Sequence, residues 1–431
     1  MSSSNRREFL QGSTLAAAGL LAHGLFNQVS AQATPDGPFN VGVVGCSRGL
    51  AHIRATINSS QSRLKYICEV DAGRLANGMK IAESLVKEKQ AEMPAPITDF
   101  RRMLDDPGLD AVFIATPNHW HAPAAILACT ANKHVYVEKP GSQNPWEAEM
   151  IVAAARKHNR VVQMGNQRRT WPGIREGIAK LQEGIVGETL YARCWYNSAR
   201  GSIGTGKPAP IPEGFDWNMW QGPAGPEQEY LDNIAPYNWH WRWKYGNGEL
   251  GNNGIHALDV ARWGLAVDYP TKVTYLGGRY HYQDDQETPD TGSALYHFGS
   301  KGISWDCSSC LPRREEKNSF VIFYGTEGSL HIQGAGYVAY DLKGNEIAKG
   351  TGAGGEQEHI DNFLTCIRSG EKPNSEIGDA QISTMMCHLG NIAYRTSSVI
   401  DFDPEQKKII DNPAAMNLWK REYRDGWEPK I

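Results

Sequence analysis

The sequence lacks the marks of several large protein classes. It has no basic stripe and no run of like charges, and a formal net charge of −4 leaves no case for nucleic acid. Eight cysteines in 431 residues make no disulfide framework, and without paired Cys-x-x-Cys units no metal centre is expected. The single such spacing, Cys307 and Cys310, follows "GISWD" in what reads as a strand, where positions i and i+3 face opposite ways. That argues against a catalytic dithiol and leaves a disulfide open. No carboxylate pair at glycosidase spacing is readable, which argues against ordinary two-acid hydrolysis. The apolar run near the N-terminus, about fourteen residues, is too short to span a membrane.

What is present starts at that N-terminus. "SSSNRREFLQ" precedes "STLAAAGLLAHGLF" and then "VSAQA", a charged start, an apolar run and a small-residue cleavage site. Arg6-Arg7 followed by Glu8-Phe9-Leu10 resembles the twin-arginine export signal, with Gln11 in place of its lysine. Residues 1–33 are therefore expected to be a leader cut after Ala33. The expectation is a periplasmic or otherwise exported protein, handled by the twin-arginine machinery, with no stable membrane anchor. That route carries folded proteins, so a cofactor would be inserted before export.

The remaining length suits two domains. From residue 39, "FNVGVVG" is a short apolar strand and "CSRGLAHIRATINS" opens a helical period. The turn between them, Gly45-Cys46-Ser47-Arg48-Gly49, is framed by glycines, and its N–H groups suit a pyrophosphate above a helix N-terminus. Its middle glycine is replaced by Ser47, and its last comes one residue early. Glu69 ends the next strand, "LKYICEVD", where an acid would bond ribose hydroxyls. "DAVFIATP", "HVYVEKP" and "RVVQMGNQRR" add strands that alternate with helices "PAAILACTAN" and "NPWEAEMIVAAARKHN". This alternation predicts a Rossmann-type, doubly wound parallel sheet over 38–163. Glu69 favours NAD, because it would repel a 2′-phosphate; Arg48 and Arg74 keep NADP as the alternative.

"GVVGCSRG", "TPNHWHAP", "VYVEKP" and "GIHALDVARW", in this order and spacing, resemble the Gfo/Idh/MocA oxidoreductases over about residues 38–400. The resemblance implies an α/β architecture: an N-terminal Rossmann domain, then a C-terminal α/β domain with a large, open, mainly antiparallel sheet. It implies cofactor contacts at Gly45, Ser47, Arg48, Glu69, Thr116, Pro117, Asn118, His121, Glu138, Lys139 and Asn166. It also implies Lys139 and His256 as catalytic groups. Oxidising a secondary alcohol by hydride transfer needs a base for the hydroxyl proton and a donor for the developing oxyanion. A partly desolvated lysine and a histidine can share that work. In the inositol-dehydrogenase branch an aspartate four residues before the histidine orients it. Here that place is Asn252, whose amide can hold the ring but cannot pair an imidazolium by charge. Asp259 is the nearest acid, and its helical phase sets it on a different face. The glycines of "GNGELGNNGIH" read as a loop after which a helix begins, with His256 on its first turn.

Residues 195–245 are rich in proline, glycine and aromatics and carry no long period. They read as an ordered excursion forming a substrate wall, with Tyr237, His240 and Arg242 as candidate sugar contacts. Several period-two segments between 271 and 345 then read as one antiparallel sheet with a single covered face. Two amphipathic helices follow, the second returning to the Rossmann side. Residues 164–400 are thus the substrate and oligomerisation domain, and 401–431 a C-terminal extension. A homo-oligomer is expected. The function that emerges is an exported NAD(P)-dependent oxidoreductase acting on a ring hydroxyl of a sugar or glycoside, with tightly bound cofactor. Two alternatives stand beside it: an NAD-dependent glycoside hydrolase working through a transient keto-sugar and elimination, and a secreted sugar-binding protein without catalysis.

Overall fold

A computed structural model describes residues 37–316 and 318–431; the leader, Arg6-Arg7 and the cleavage site lie outside the described residues. The first layer runs β1 (Phe39–Val44), α1 (Gly49–Asn58), β2 (Ser62–Cys68), α2 (Ala72–Lys89), β3 (Ala95–Ile97) and α3 (Arg101–Leu104). It continues with β4 (Ala111–Ile114), α4 (Asn118–Thr130), β5 (His134–Val137), α5 (Pro145–Lys157) and β6 (Val162–Met164). The six strands are parallel, in the order β3-β2-β1-β4-β5-β6. β4 is buried along its whole length, as expected for a strand covered on both faces. The order reverses beside β1, so the crevice at the carboxyl ends of β1 and β4 is where a ligand belongs. The sequence pattern misses β3, an edge strand of three residues set among prolines.

The second sheet has ten strands. After α6 (Pro172–Gln182) come β7 (Thr189–Asn197), α7 (Trp217–Gln221), α8 (Ile255–Leu265), β8 (Lys272–Gly278), β9 (Thr291–Phe298) and β10 (Lys301–Ser308). Then follow β11 (Val321–Gly325), β12 (Gly328–Gln333), β13 (Gly336–Asp341) and β14 (Glu346–Gly350). α9 (Gln357–Ser369), α10 (Ile377–Thr396), β15 (Ile400–Asp403), β16 (Lys408–Ile409) and α11 (Pro413–Met416) complete the chain. The order is β14-β13-β12-β11-β7-β10-β9-β8-β15-β16, antiparallel except for the β7–β10 pair. Helices α6, α8 and α10 cover one face. The other presents Tyr191 beside Tyr324 and Leu295 near Leu276, with Leu276 81% exposed.

Both late helices reach the first domain, not only the second of them. α9 puts Ile360, Phe363, Leu364 and Ile367 into the core that holds β1 and α1, and α10 packs on α5. Residues 401–431 add β15 and β16 to the sheet edge and then turn back. There Arg421 pairs with the buried Glu147, and Trp427 meets Trp120 edge to face. No described helix is long and apolar enough to cross a membrane. All eight cysteines, Cys307 and Cys310 included, are free and buried.

Candidate active site

The cleft begins at the β1–α1 turn. Gly45 has φ +97°, and a Cβ there would lie 2.5 Å from the Ala115 carbonyl oxygen, so only glycine fits. Helix α1 starts behind Arg48 with no side-chain cap and no acid in its first turn. The Leu50 and Ala51 N–H groups bond back to Ser47 O at 3.3 Å and Arg48 O at 3.1 Å, and the positive end of the helix faces the turn, where an anion is favoured. Ser47 is exposed at this end. Glu69 accepts from the Cys46 N–H at 2.7 Å and its carboxylate faces the cleft, where ribose hydroxyls would sit. A turn that excludes side chains, an uncapped helix and an acid at the tip of β2 together fit a dinucleotide. The cleft holds about 460 Å³ and runs from Arg74 and Glu69 past Thr116 to Lys139 and Asn252.

Residues 198–245 form a strap over the adenosine end of that cleft. The strap is tied by the Ala72 N–H to Gly214 O and the Asp216 N–H to Val70 O, each 2.9 Å. Phe215, Met219, Trp220 and Tyr230 line the cleft from above. The strap is fastened in turn by the C-terminal tail, through an antiparallel bridge between Ala224 and Tyr423 and through Arg424 donating to Asn218 O at 2.9 Å.

Beneath the middle of the cleft lies a buried ionic cluster that sequence reasoning finds only in part. Glu138, at the end of β5, accepts from Arg48 Nε at 2.9 Å and lies 3.0 Å from His52 Nε2. Glu356, at the start of α9, pairs with Arg48 and lies 3.4 Å from the same histidine nitrogen. Tyr136 and Gln167 donate to Glu356 at 3.2 Å each. Burial opposes charge on Glu138, yet Arg48 and His52 hold its carboxyl well below the usual range. Burial also opposes charge on His52, and its bonds to Glu138 and Glu356 raise it above the ordinary histidine value. The trio His52, Glu138 and Glu356 has ligand-like spacing, all atoms within 4.8 Å, but Arg48 already supplies the neutralising charge. Arg48 is thus half exposed to the cleft and anchored from behind. His52 and Glu356 escape the sequence because nothing local marks them; the only signal is the i, i+4 placement of His52 behind Arg48.

Lys139 follows Glu138 and reaches forward. Its Nζ donates to the backbone oxygen of Asn252 at 2.8 Å and to that residue's Oδ1 at 3.1 Å. No carboxylate lies within ion-pair distance of Lys139 among the described residues. Burial lowers its pKa to about 8, with Glu138 opposing and Arg48 adding to the fall. The expected loop before His256 is instead already helical. Helix geometry begins at Gly248, and Leu250–Gly254 form a π-turn in which the Ile255 N–H bonds back to Leu250 O. The widened turn leaves the Asn252 carbonyl able to accept from Lys139, a placement common where function distorts a helix. "GNNG" reads as loop because glycine and asparagine are loop formers, while the π-turn is imposed by packing.

His256 is the second residue of α8, on its first turn as expected, but that turn follows directly on the π-turn rather than on a loop. Its Nδ1 is buried without a partner, and burial with Lys139 and Arg168 pushes its pKa well below 6.5. Asp259 does not replace the missing acid. It takes two 2.8 Å bonds from Arg169 and one of 2.7 Å from Ser383, which occupy its carboxylate. Glu249, which favours the charged form of Lys139, lies one turn before Asn253, whose Nδ2 donates to it at 2.6 Å.

The other expected contacts fall into three groups. Thr116, Pro117 and Asn118 line the cleft, and Asn118 donates to Asn247 Oδ1 at 3.1 Å. His121 lines it too, but both ring nitrogens face carbonyls, Pro140 O at 2.6 Å and Thr116 O at 2.8 Å, so its role is to brace the Lys139–Pro140 peptide. Asn166 is 2% exposed and neither end of its amide has a partner. Tyr237 and His240 line the cleft, the His240 ring lying flat on Trp239 with centroids 3.5 Å apart. Arg242 does not join them: it is spent on Asn233 at 2.9 Å and Asp285 at 2.8 Å. The excursion's aromatics mostly wall the cofactor cleft or pack against one another, Trp217 on Trp220 at 4.7 Å. Their composition suggested a sugar surface because a cofactor wall uses the same residue types.

Comparison with known proteins gives the same architecture. Residues 39–166 match an oxidoreductase-family model described as an NAD-binding Rossmann fold, and residues 195–429 match that family's C-terminal alpha/beta domain. The chain is 29% identical over 167 residues to levoglucosan dehydrogenase of Pseudarthrobacter phenanthrenivorans, covering 38% of this chain and 35% of that protein. It therefore spans only about a third of that relative's length. It is 23% identical over 380 residues to scyllo-inositol 2-dehydrogenase (NAD(+)) of Bacillus subtilis, 84% of this chain and 95% of that one. Among solved structures it is similar to aldose-aldose oxidoreductase from Caulobacter crescentus, with TM-score 0.64 and 18% identity over 85% of this chain and 100% of that one.

Proposed function

Because the chain belongs to the Gfo/Idh/MocA oxidoreductase family and carries its NAD-binding Rossmann domain, we propose that it moves hydride to or from a ring carbon of a sugar or glycoside. The observation that carries this reading is Lys139, a buried amine with a pKa near 8 held by two neutral oxygens at the cleft's inner end. NAD bound in the cleft supplies the hydride acceptor. Lys139, as the free amine, takes the proton from the substrate hydroxyl. As the ammonium it holds the oxygen when the reaction runs the other way. Asn252 aims Lys139 without pairing its charge, so the amine stays easy to deprotonate. His256, neutral here, offers Nδ1 or Nε2 as a hydrogen-bond partner and not as an imidazolium. Glu138 holds Lys139's neighbour Arg48 at the cleft floor.

We further propose that NAD stays with the protein through the cycle, which the strap and its fastening by the tail support. Export through the twin-arginine route, proposed from Arg6-Arg7 and the apolar run behind them, would demand that loading precede transport. A homo-oligomer through the open sheet face is supported by its exposed Leu276, Leu295, Tyr191 and Tyr324. The test is purified protein mixed with a panel of sugars and glycosides. Bound nucleotide whose nicotinamide absorbance rises or bleaches with a sugar supports the oxidoreductase. Aglycone release without net cofactor change would favour the hydrolase instead, and sugar binding with neither would leave only a binding protein.

A further inference from the structure

Arg168 is a cation without a counter-ion. It has no ion pair among the described residues, its Nε is buried without a partner, and its guanidinium lies over Phe320 at 4.3 Å and Trp171 at 5.0 Å. Its neighbour is spoken for. Arg169 is pinned to Asp259 on α8 and lies over Trp263, so the tight turn Gln167–Arg169 is fixed against α8 and its two arginines diverge. That turn packs beside the start of α8, where His256 leaves Nδ1 unpartnered, and behind Gly165, which lies against the Glu138 carboxylate. Asn166, 2% exposed, adds both ends of an amide with nothing to bond. Arg168 is also close enough to Lys139 and His256 to disfavour protonation of both.

Leaving so many buried polar groups unsatisfied costs stability unless something else completes them. A sugar's hydroxyls could serve Asn166 and His256, but they do not answer an unpaired guanidinium stacked on two rings. A planar oxyanion does, because it can accept two parallel N–H bonds from the guanidinium fork. We propose that Arg168, with Asn166 and His256, forms a subsite for an anionic group on the substrate, and that the substrate is a carboxylate-bearing sugar such as a hexuronate or its glycoside. The carboxylate would sit between Arg168 and the reacting ring, its charge opposing the cluster of cations and leaving Lys139 to act on a hydroxyl. This inference rests on the sugar-oxidising reading above and narrows its substrate.

The experiment is titration calorimetry on the NAD-loaded protein with hexuronates, the hexoses of matching configuration and the matching hexose 6-phosphates. A hexuronate should bind roughly ten- to a hundredfold more tightly than its hexose, the range expected for charge-assisted hydrogen bonds. Arg168→Gln should remove that preference, and Arg168→Lys should retain only part of it, since a lysine lacks the fork. NAD content and the unfolding midpoint of each variant show whether it is folded; if Arg168→Gln is not, the Arg168→Lys comparison decides. No preference for the uronate, a preference that survives Arg168→Gln, or a stronger preference for the 6-phosphate overturns the proposal. Turnover of neutral hexoses without any uronate preference would overturn this subsite and leave the oxidoreductase standing. Absence of redox change with every sugar would instead count against the oxidoreductase.

Discussion

At Asp259 and Arg262 helix α8 carries a closed ionic network, and one turn earlier, at His256, it carries groups left open. Asp259 is satisfied three times over, by two bonds from Arg169 and one from Ser383. Arg262 is bonded to Ser383 at 2.8 Å and to Asp379 at 2.7 Å. On the front, Lys139 has only neutral oxygens, and His256 Nδ1 and the Asn166 amide have no partner. Both sets are buried, so the difference is not solvent. Saturated groups tie the turn at Gln167–Arg169, α8 and α10 together, while unsaturated ones wait for a ligand to complete them.

Removing one group from each face tests that division, starting with the largest effect. Lys139→Met should lower turnover by about 10² to 10⁴, the usual worth of a positioned acid–base group, with the unfolding midpoint nearly unchanged. Steady-state rates beside a thermal melt measure both, and a lost fold without lost chemistry in the surviving fraction would reverse the assignment. Asp259→Ala should do the opposite. It removes the bidentate partner of the buried Arg169, leaving it only Asp379 at 3.0 Å, and costs about 3 kcal/mol of stability, read by denaturant unfolding, while folded protein keeps its NAD.

Subtler changes sharpen the contrast. With Lys139 near pKa 8, sugar oxidation should rise with pH and level off above about 8. Asn252→Asp adds the missing charge, favours the ammonium, and should move that limb up by on the order of one pH unit. An unmoved limb in the pH–rate profile would show that Lys139 does not set it. The smallest effect is graded. Burial pushes His119, His240 and His388 down to about 3 and His134 to about 4 from an ordinary 6.5. The unfolded chain then binds protons that the folded chain refuses. Their contribution is complete above pH 6.5 and should be lost as pH falls through the window toward 3, a decline visible in melts taken stepwise in acid.

The two faces also differ in how far the sequence discloses them. The strands of the first domain are plain because each is a short apolar run closed by a turn, and the glycine at 45 is dictated by its φ. β3 is hidden because three residues among prolines carry no period. Lys139 and His256 are legible through the motifs around them. Arg168 was passed over because it stands next to an arginine of the same type whose role is structural. His52 and Glu356 are invisible because their meaning is a contact between segments far apart in the chain. The helical turns before α8, residues 248–254, read as loop because loop-forming residues can be held in a helix by what packs on them. Arg242 misled for the converse reason: an attractive residue type whose bonds are already taken.

The strap over the adenosine end has a bearing on biogenesis. Tyr423 and Arg424, which fasten it at Ala224 and Asn218, follow every strand of both sheets in the chain. On a translating ribosome the nucleotide-binding turn and the strap therefore emerge well before the residues that latch them. Until those residues arrive the door to the cleft stands ajar, and the nucleotide has its widest opportunity to enter. Closing it waits on Tyr423 and Arg424, which ties cofactor capture to the order of the chain as well as to affinity.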